Sequence, residues 1–177
     1  MKIKNTPLKD LKIIQGISFY DSRGFFREVY KNNLLKKSKP LFWCLSKSKK
    51  NVLRGLHLQT KMSQEKYVSV IKGKILDVVI DLRKNSKTFG KYFKIILSEK
   101  NSKSILIPAG FAHGFLALNK ENIVLYSNNN YRAKKYEIGI MWNDKTVNIK
   151  WPKKKFIISK KDKMNISFKK YKTLINA

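Results

Sequence analysis

A chain of 177 residues suits one domain with a sizeable core. No run of eighteen apolar residues marks a membrane span, and a lone cysteine, Cys44, allows no internal disulfide. Its 40 Lys+Arg against 11 Asp+Glu leave a formal net charge of +29, a field suited to nucleic acid, anionic membranes or phosphorylated ligands. The lysines are scattered, as in KSKPLFWCLSKSKK and WPKKKFIISKKDK, instead of gathered in one stripe. That pattern reads as a solvated surface drifted towards A+T-rich codons and argues against a nucleic-acid partner. The opening MKIKNTPLKDLKIIQG lacks the apolar core of a signal peptide, so a cytoplasmic chain with no membrane partner is expected.

Along the chain, GISFY and FFREVY come first, separated by the turn signal DSRG, and then a helix is expected around Lys31 to Lys39. LFWCL, NVLRGLHL, KYVSVI and KILDVVIDL follow, the last two split by KGK. RKNSKTFG leads to KYFKIIL, SILIPA, HGFLAL and NIVLYS, and a second helix is expected in the Lys-rich tail, about residues 163–177. Short runs rich in β-branched and aromatic residues, punctuated by turn chemistry, read as strands. They predict an all-β domain over residues 1–177, an antiparallel β-sandwich or barrel with jelly roll a natural member.

Only five of the cations are arginine: Arg23, Arg27, Arg54, Arg83 and Arg132. Where lysine is the common cation, a retained guanidinium fork suggests bidentate work on phosphate or carboxylate. Arg83, after VVIDL, is the one expected in a structural ion pair. In VLRGLHLQ, Arg54 and His57 flank Gly55 within an apolar run and so imply a polar pocket. The only other histidine, His113, lies 56 positions on, with no HxH or HExxH spacing, so no metal is expected. Phosphate loops and nucleophile elbows are absent. General acid–base chemistry remains, with His57 as a base whose imidazole could be oriented by a buried carboxylate. A tyrosine on the opposite wall could donate a proton, and Lys66 with the arginines could hold an anion or a developing oxyanion. Asp77 and Asp81 are equally available as the carboxylate, because both lie on one face of the same predicted strand.

Several motifs occur in order: D-x-R-G-x-F (21–26), N-V-L-R-G-L-H (51–57), G-x-x-x-D-V-x-x-D-x-R (73–83), S-x-T-F-G (86–90), I-P-x-G-F-A-H-G-F (107–115), W-N-D (142–144) and I-x-W-P (149–152). Over residues 19–162 the chain resembles the dTDP-4-dehydrorhamnose 3,5-epimerases, cupin-type jelly rolls that work without a metal. The resemblance implies that a nucleotide-linked 4-keto-6-deoxy sugar is inverted at C3 and C5, in cell-surface polysaccharide synthesis, by a homodimer without a cofactor. It implies His57 as base, Asp162 as its partner, Tyr126 as acid and Lys66 as the enolate-stabilising cation. Substrate contacts fall on Arg23, Glu28, Arg54, His113, Tyr131, Glu137 and Lys161, with Phe26 near the nucleotide.

Two stretches differ from the family pattern. LFWCL, with Phe42, Trp43 and Cys44, replaces a polar stretch, and Leu58 follows the histidine where an aromatic is usual. Arg132 stands where an aromatic commonly stacks on thymine, and since arginine can stack on a base too it is expected to contact the substrate. Alternatives on the same fold are a C3-only epimerase or a 3,4-ketoisomerase acting on a related nucleotide sugar. A non-enzymatic basic β-barrel that binds nucleic acid is the alternative from another class.

Overall fold

The computed structural model describes residues 1–31, 39–152 and 155–176. Its elements are β1 (Lys2–Asn5), β2 (Lys12–Gln15), β3 (Ser18–Asp21), β4 (Gly24–Arg27), β5 (Phe42–Lys49), β6 (Val52–Gln59) and β7 (Lys66–Lys72). Then come β8 (Lys74–Asp81), β9 (Tyr92–Ser98), β10 (Lys103–Ile107), β11 (Phe111–Ala117), β12 (Glu121–Asn128), β13 (Glu137–Gly139) and β14 (Ile157–Ile158), with helices α1 (Lys160–Lys163) and α2 (Phe168–Asn176) at the end. The helix expected around Lys31 to Lys39 lies almost wholly outside the described residues; the tail does carry one, α2.

Two sheets form. One runs β1-β2-β10-β7-β12-β5; the other runs β13-β6-β11-β8-β9, with β14 added in parallel to β6. Strands β3 and β4 make a separate hairpin. The all-β sandwich read from the sequence is the observed fold.

Strand β8 shows why the layers stack as they do. After Lys74 every residue of KILDVVID is buried, because both faces of this central strand are covered. Alternation sends Ile75 and Val79 into the core between the sheets, with Val68, Ile105, Phe115 and Val124. Leu76, Val78 and Ile80 point the other way, into a second core with Ile140, Phe168 and Tyr171. Helix α2 therefore seals the outer face of the second sheet.

Three motifs serve this packing. Asp144, of W-N-D, accepts from the backbone N–H of Thr146, Val147 and Phe168, at 2.9, 3.0 and 2.8 Å, and so ties the 141–149 loop to the start of α2. A Cβ on Gly90 would sit 2.7 Å from the Phe168 ring, so only glycine leaves room there for α2 to dock. Asp81 accepts from Arg83, Ser86 and Thr88, and Arg83 also reaches Asp10 at 2.9 Å. Arg83 is thus the structural ion pair anticipated from its position after VVIDL.

Candidate active site

Between the two sheets opens a cavity of about 630 Å³. Alternation along β5 turns Phe42, Cys44 and Ser46 into it, while Lys66 enters from β7 and Tyr126 and Asn128 from β12. The opposing wall carries Arg54 and His57 of β6, His113 of β11 and Glu137 of β13. Lys161 and Asp162 of α1 close the side where β14 joins β6.

His57 is held by Asp162, whose Oδ1 lies 2.6 Å from Nε2. Burial works against charge on Asp162, but hydrogen bonds from His57, Gly55 N–H and Ser159 outweigh it and keep the carboxyl below its usual range. An ionised Asp162 accepts a hydrogen bond from Nε2–H, which leaves Nδ1 of a neutral ring as the basic nitrogen. Gly55 makes this corner possible. It sits at φ 114°, and a Cβ there would lie 2.5 Å from Gly114 Cα, so β6 and β11 could not approach so closely with any larger residue.

A second pair lies beside the first. His113 Nε2 is 2.8 Å from Asp77 Oδ2, and His113 is the register partner of His57 across β6 and β11. The choice between Asp77 and Asp81 for the His57 partner thus ends with neither: Asp77 serves His113 and Asp81 serves Arg83.

On the facing sheet, Tyr126 OH lies 2.9 Å from Ser46 Oγ. Burial pushes the phenol pKa well above its ordinary value, the Ser46 contact offsetting part of the rise, so the group stays protonated. Lys66 is enclosed as well: burial lowers its pKa, while the carboxylates of Glu137 and Asp77 oppose the shift. Glu137 accepts from Arg132 Nε at 2.9 Å and from Lys161. Burial would raise its pKa, but these two cations win and bring it down to about 2. Arg54 reaches Ser48 Oγ at 3.0 Å and the Lys47 carbonyl at 3.1 Å along the cavity edge. Among the described residues no three His, Cys, Asp or Glu side chains group to hold a metal ion.

Sequence comparison matches residues 5–170 to the dTDP-4-dehydrorhamnose 3,5-epimerase family. The chain belongs to this family. A curated dTDP-4-dehydrorhamnose 3,5-epimerase from Shigella flexneri is 40% identical over 168 residues, 92% of this chain and 93% of that one. The crystal structure of a dTDP-4-dehydrorhamnose 3,5-epimerase from Elizabethkingia anophelis superposes with a TM-score of 0.89 at 40% identity, covering 96% of this chain and 97% of that one. A dTDP-6-deoxy-D-glucose 3,5-epimerase from Legionella pneumophila, in complex with dTDP-4-keto-L-rhamnose, gives a TM-score of 0.89 at 37% identity over 93% and 90% of the two chains.

Nine of the site residues expected from the sequence line the one cavity: His57, Tyr126, Asp162, Lys66, Arg54, His113, Arg132, Glu137 and Lys161. Tyr131 stands at its rim, stacked on Phe42 with ring centroids 5.9 Å apart and planes 14° apart. Arg23, Phe26 and Glu28 are elsewhere. Arg23 sits on the β3–β4 hairpin, 89% exposed and paired with Asp21 at 2.6 Å. Phe26 and Glu28 border a second cavity of about 310 Å³ under that hairpin. Ser46, the contact of Tyr126, escaped sequence reasoning; its signal was the alternation Phe42, Cys44, Ser46 along one strand face.

Proposed function

We propose that this chain inverts C3 and C5 of dTDP-4-dehydro-6-deoxyglucose, giving dTDP-4-dehydrorhamnose, by proton abstraction and return through an enolate. One observation carries the reading: His57 and Tyr126 enter one cavity from opposing sheets, with Lys66 on β7, the strand paired to the one that bears Tyr126. The 4-keto group acidifies the protons on C3 and C5, because the carbanion at either carbon delocalises onto the ketone oxygen. His57, oriented by Asp162, takes the proton from one face of the ring. Lys66 stabilises the enolate oxygen, where a cation in an enclosed site is worth more than in water. Tyr126, protonated and held by Ser46, returns a proton to the other face, and the configuration inverts. Glu137, fixed by Lys161 and Arg132, and Arg54 with His113 bind the rest of the substrate.

A homodimer belongs to this reading. The hairpin with Arg23 and Phe26 projects Tyr20 and Phe26 at 69% and 67% exposure, and none of its residues lines the cavity of its own chain. A second copy that buries this apolar surface would bring the hairpin residues to the neighbouring cavity and complete the nucleotide end of the site. Sedimentation should then show two chains per particle, whereas a monomer that turns over normally would sink this part.

The activity test is incubation with dTDP-4-keto-6-deoxyglucose in D2O, following C3 and C5 by NMR. Deuterium at both carbons is expected. Exchange at C3 alone reduces the reading to a single-centre epimerase, and no exchange by folded protein overturns it.

A further inference from the structure

The wall made by β5 carries a second message. Phe42, Cys44 and Ser46 face the cavity in succession, and Ser46 holds the phenol of Tyr126 at the chemical end. At about 3.3 Å per residue, Phe42 lies about 13 Å along the strand from Ser46, a separation that a ribose and a diphosphate can span. At that far end the geometry is aromatic: Phe42 stacks on Tyr131, and Arg132 is the next residue in the chain.

The stack is built in place. Gln59 Nε2 donates to the carbonyls of Met62 and Tyr131 at 2.8 and 3.2 Å, and its Oε1 accepts from Ala133 N–H at 2.8 Å. Gln64 Nε2 donates to the Asn130 carbonyl at 2.9 Å. These two amides line the cavity but are committed to the 130–133 loop that carries Tyr131. β5 itself presents the ring of Phe42 at this end, beside its register partner Asn128 on β12 and Arg132.

We propose that Phe42, backed by Tyr131, is the stacking surface for the nucleobase of the substrate, so that β5 recognises the base through its π face instead of by hydrogen bonds. This rests on the nucleotide-sugar reading above and names the residue that sets its base end. Every base has a π face, and stacking on an aromatic ring is strong enough to be read as an affinity change.

The experiment is titration of the full-length protein with TDP and with inorganic pyrophosphate, alongside steady-state kinetics, for the parent, Phe42→Ala, Phe42→Leu and Phe42→Trp. Phe42→Leu preserves an apolar side chain and guards against a variant that fails to fold. Loss of stacking should weaken TDP binding, and raise KM, by about tenfold in both the Ala and the Leu variants. Their kcat should stay within about twofold of the parent, pyrophosphate binding should not change, and Phe42→Trp should bind TDP at least as well as the parent. Unaltered TDP affinity in Phe42→Leu, or equal weakening of TDP and pyrophosphate, overturns the proposal. Parent protein that binds TDP through Phe42 but exchanges no sugar protons overturns the epimerase reading and leaves the stacking surface standing. Normal turnover and KM in Phe42→Leu does the reverse.

Discussion

His57 and His113 face each other across β6 and β11, and each presents Nε2 to an aspartate, at 2.6 and 2.8 Å. The pairs look alike but are finished differently. His57 is 27% exposed and Asp162 has a second donor in Gly55 N–H. The side chain of His113 is 5% exposed, and Asp77 Oδ1 is buried without a partner among the described residues. An imidazole that meets the cavity and rests on a fully engaged carboxylate is suited to take protons from substrate. An enclosed one, whose carboxylate depends on it, is suited to shape the wall and present one polar edge. In the proposed reaction the two dyads would thus divide into a base, His57, and a positioning contact, His113.

The largest effect that would test this division is removal of the base. His57→Asn should cut C3 and C5 exchange by at least about 10³-fold, in line with the contribution of positioned proton transfer, while the melting temperature stays near that of the parent. Asp162→Asn should cost about 10²-fold or more in kcat, since the amide can present its NH2 to Nε2 and reverse the tautomer. Tyr126→Phe sharpens the comparison from the other wall. It should retain measurable deuterium exchange on the His57 face yet give little inverted product, a split that NMR of the recovered sugar resolves.

His113→Asn should act in the opposite sense to His57→Asn. It leaves Asp77 buried with less compensation, so about 3 kcal/mol of stability should be lost in denaturant unfolding, with KM raised and deuterium exchange still detectable. The smallest effect concerns Asp81. Burial disfavours its charge, but Arg83, Ser86 and Thr88 bring its pKa from 3.8 to about 2. The folded value lies below the unfolded one, so this stabilisation is complete above about pH 4 and is lost as pH falls towards 2. Asp81→Asn should remove about 2 kcal/mol at pH 7 and flatten that part of the acid-unfolding profile.

Much of this was legible in the chain. Runs such as KILDVVID and KYFKIIL carry β-branched residues between turn signals and became strands β8 and β9. Arg54 and His57 in an apolar run did signal a polar pocket, because such groups are rarely buried without partners. The pairing of carboxylates was not legible from local pattern. Asp162 meets His57 from 105 positions away, and nothing in the alternation of β8 says that Asp77 faces His113 while Asp81 is drawn off by the turn after it. Asp144 and Gly90 likewise show their roles only once α2 has docked. Arg23, Phe26 and Glu28, expected at the substrate, do not line the cavity that holds His57; Phe26 and Glu28 border the second one under the β3–β4 hairpin.

The direct test of the division between the two dyads is deuterium incorporation at C3 and C5, measured side by side for the parent, His57→Asn and His113→Asn with saturating dTDP-4-keto-6-deoxyglucose in D2O. The account predicts rapid exchange in the parent, slower but clear exchange in His113→Asn, and none above background in His57→Asn. Exchange in a folded His57→Asn protein at the parent rate, or its loss only on replacing His113, would contradict it.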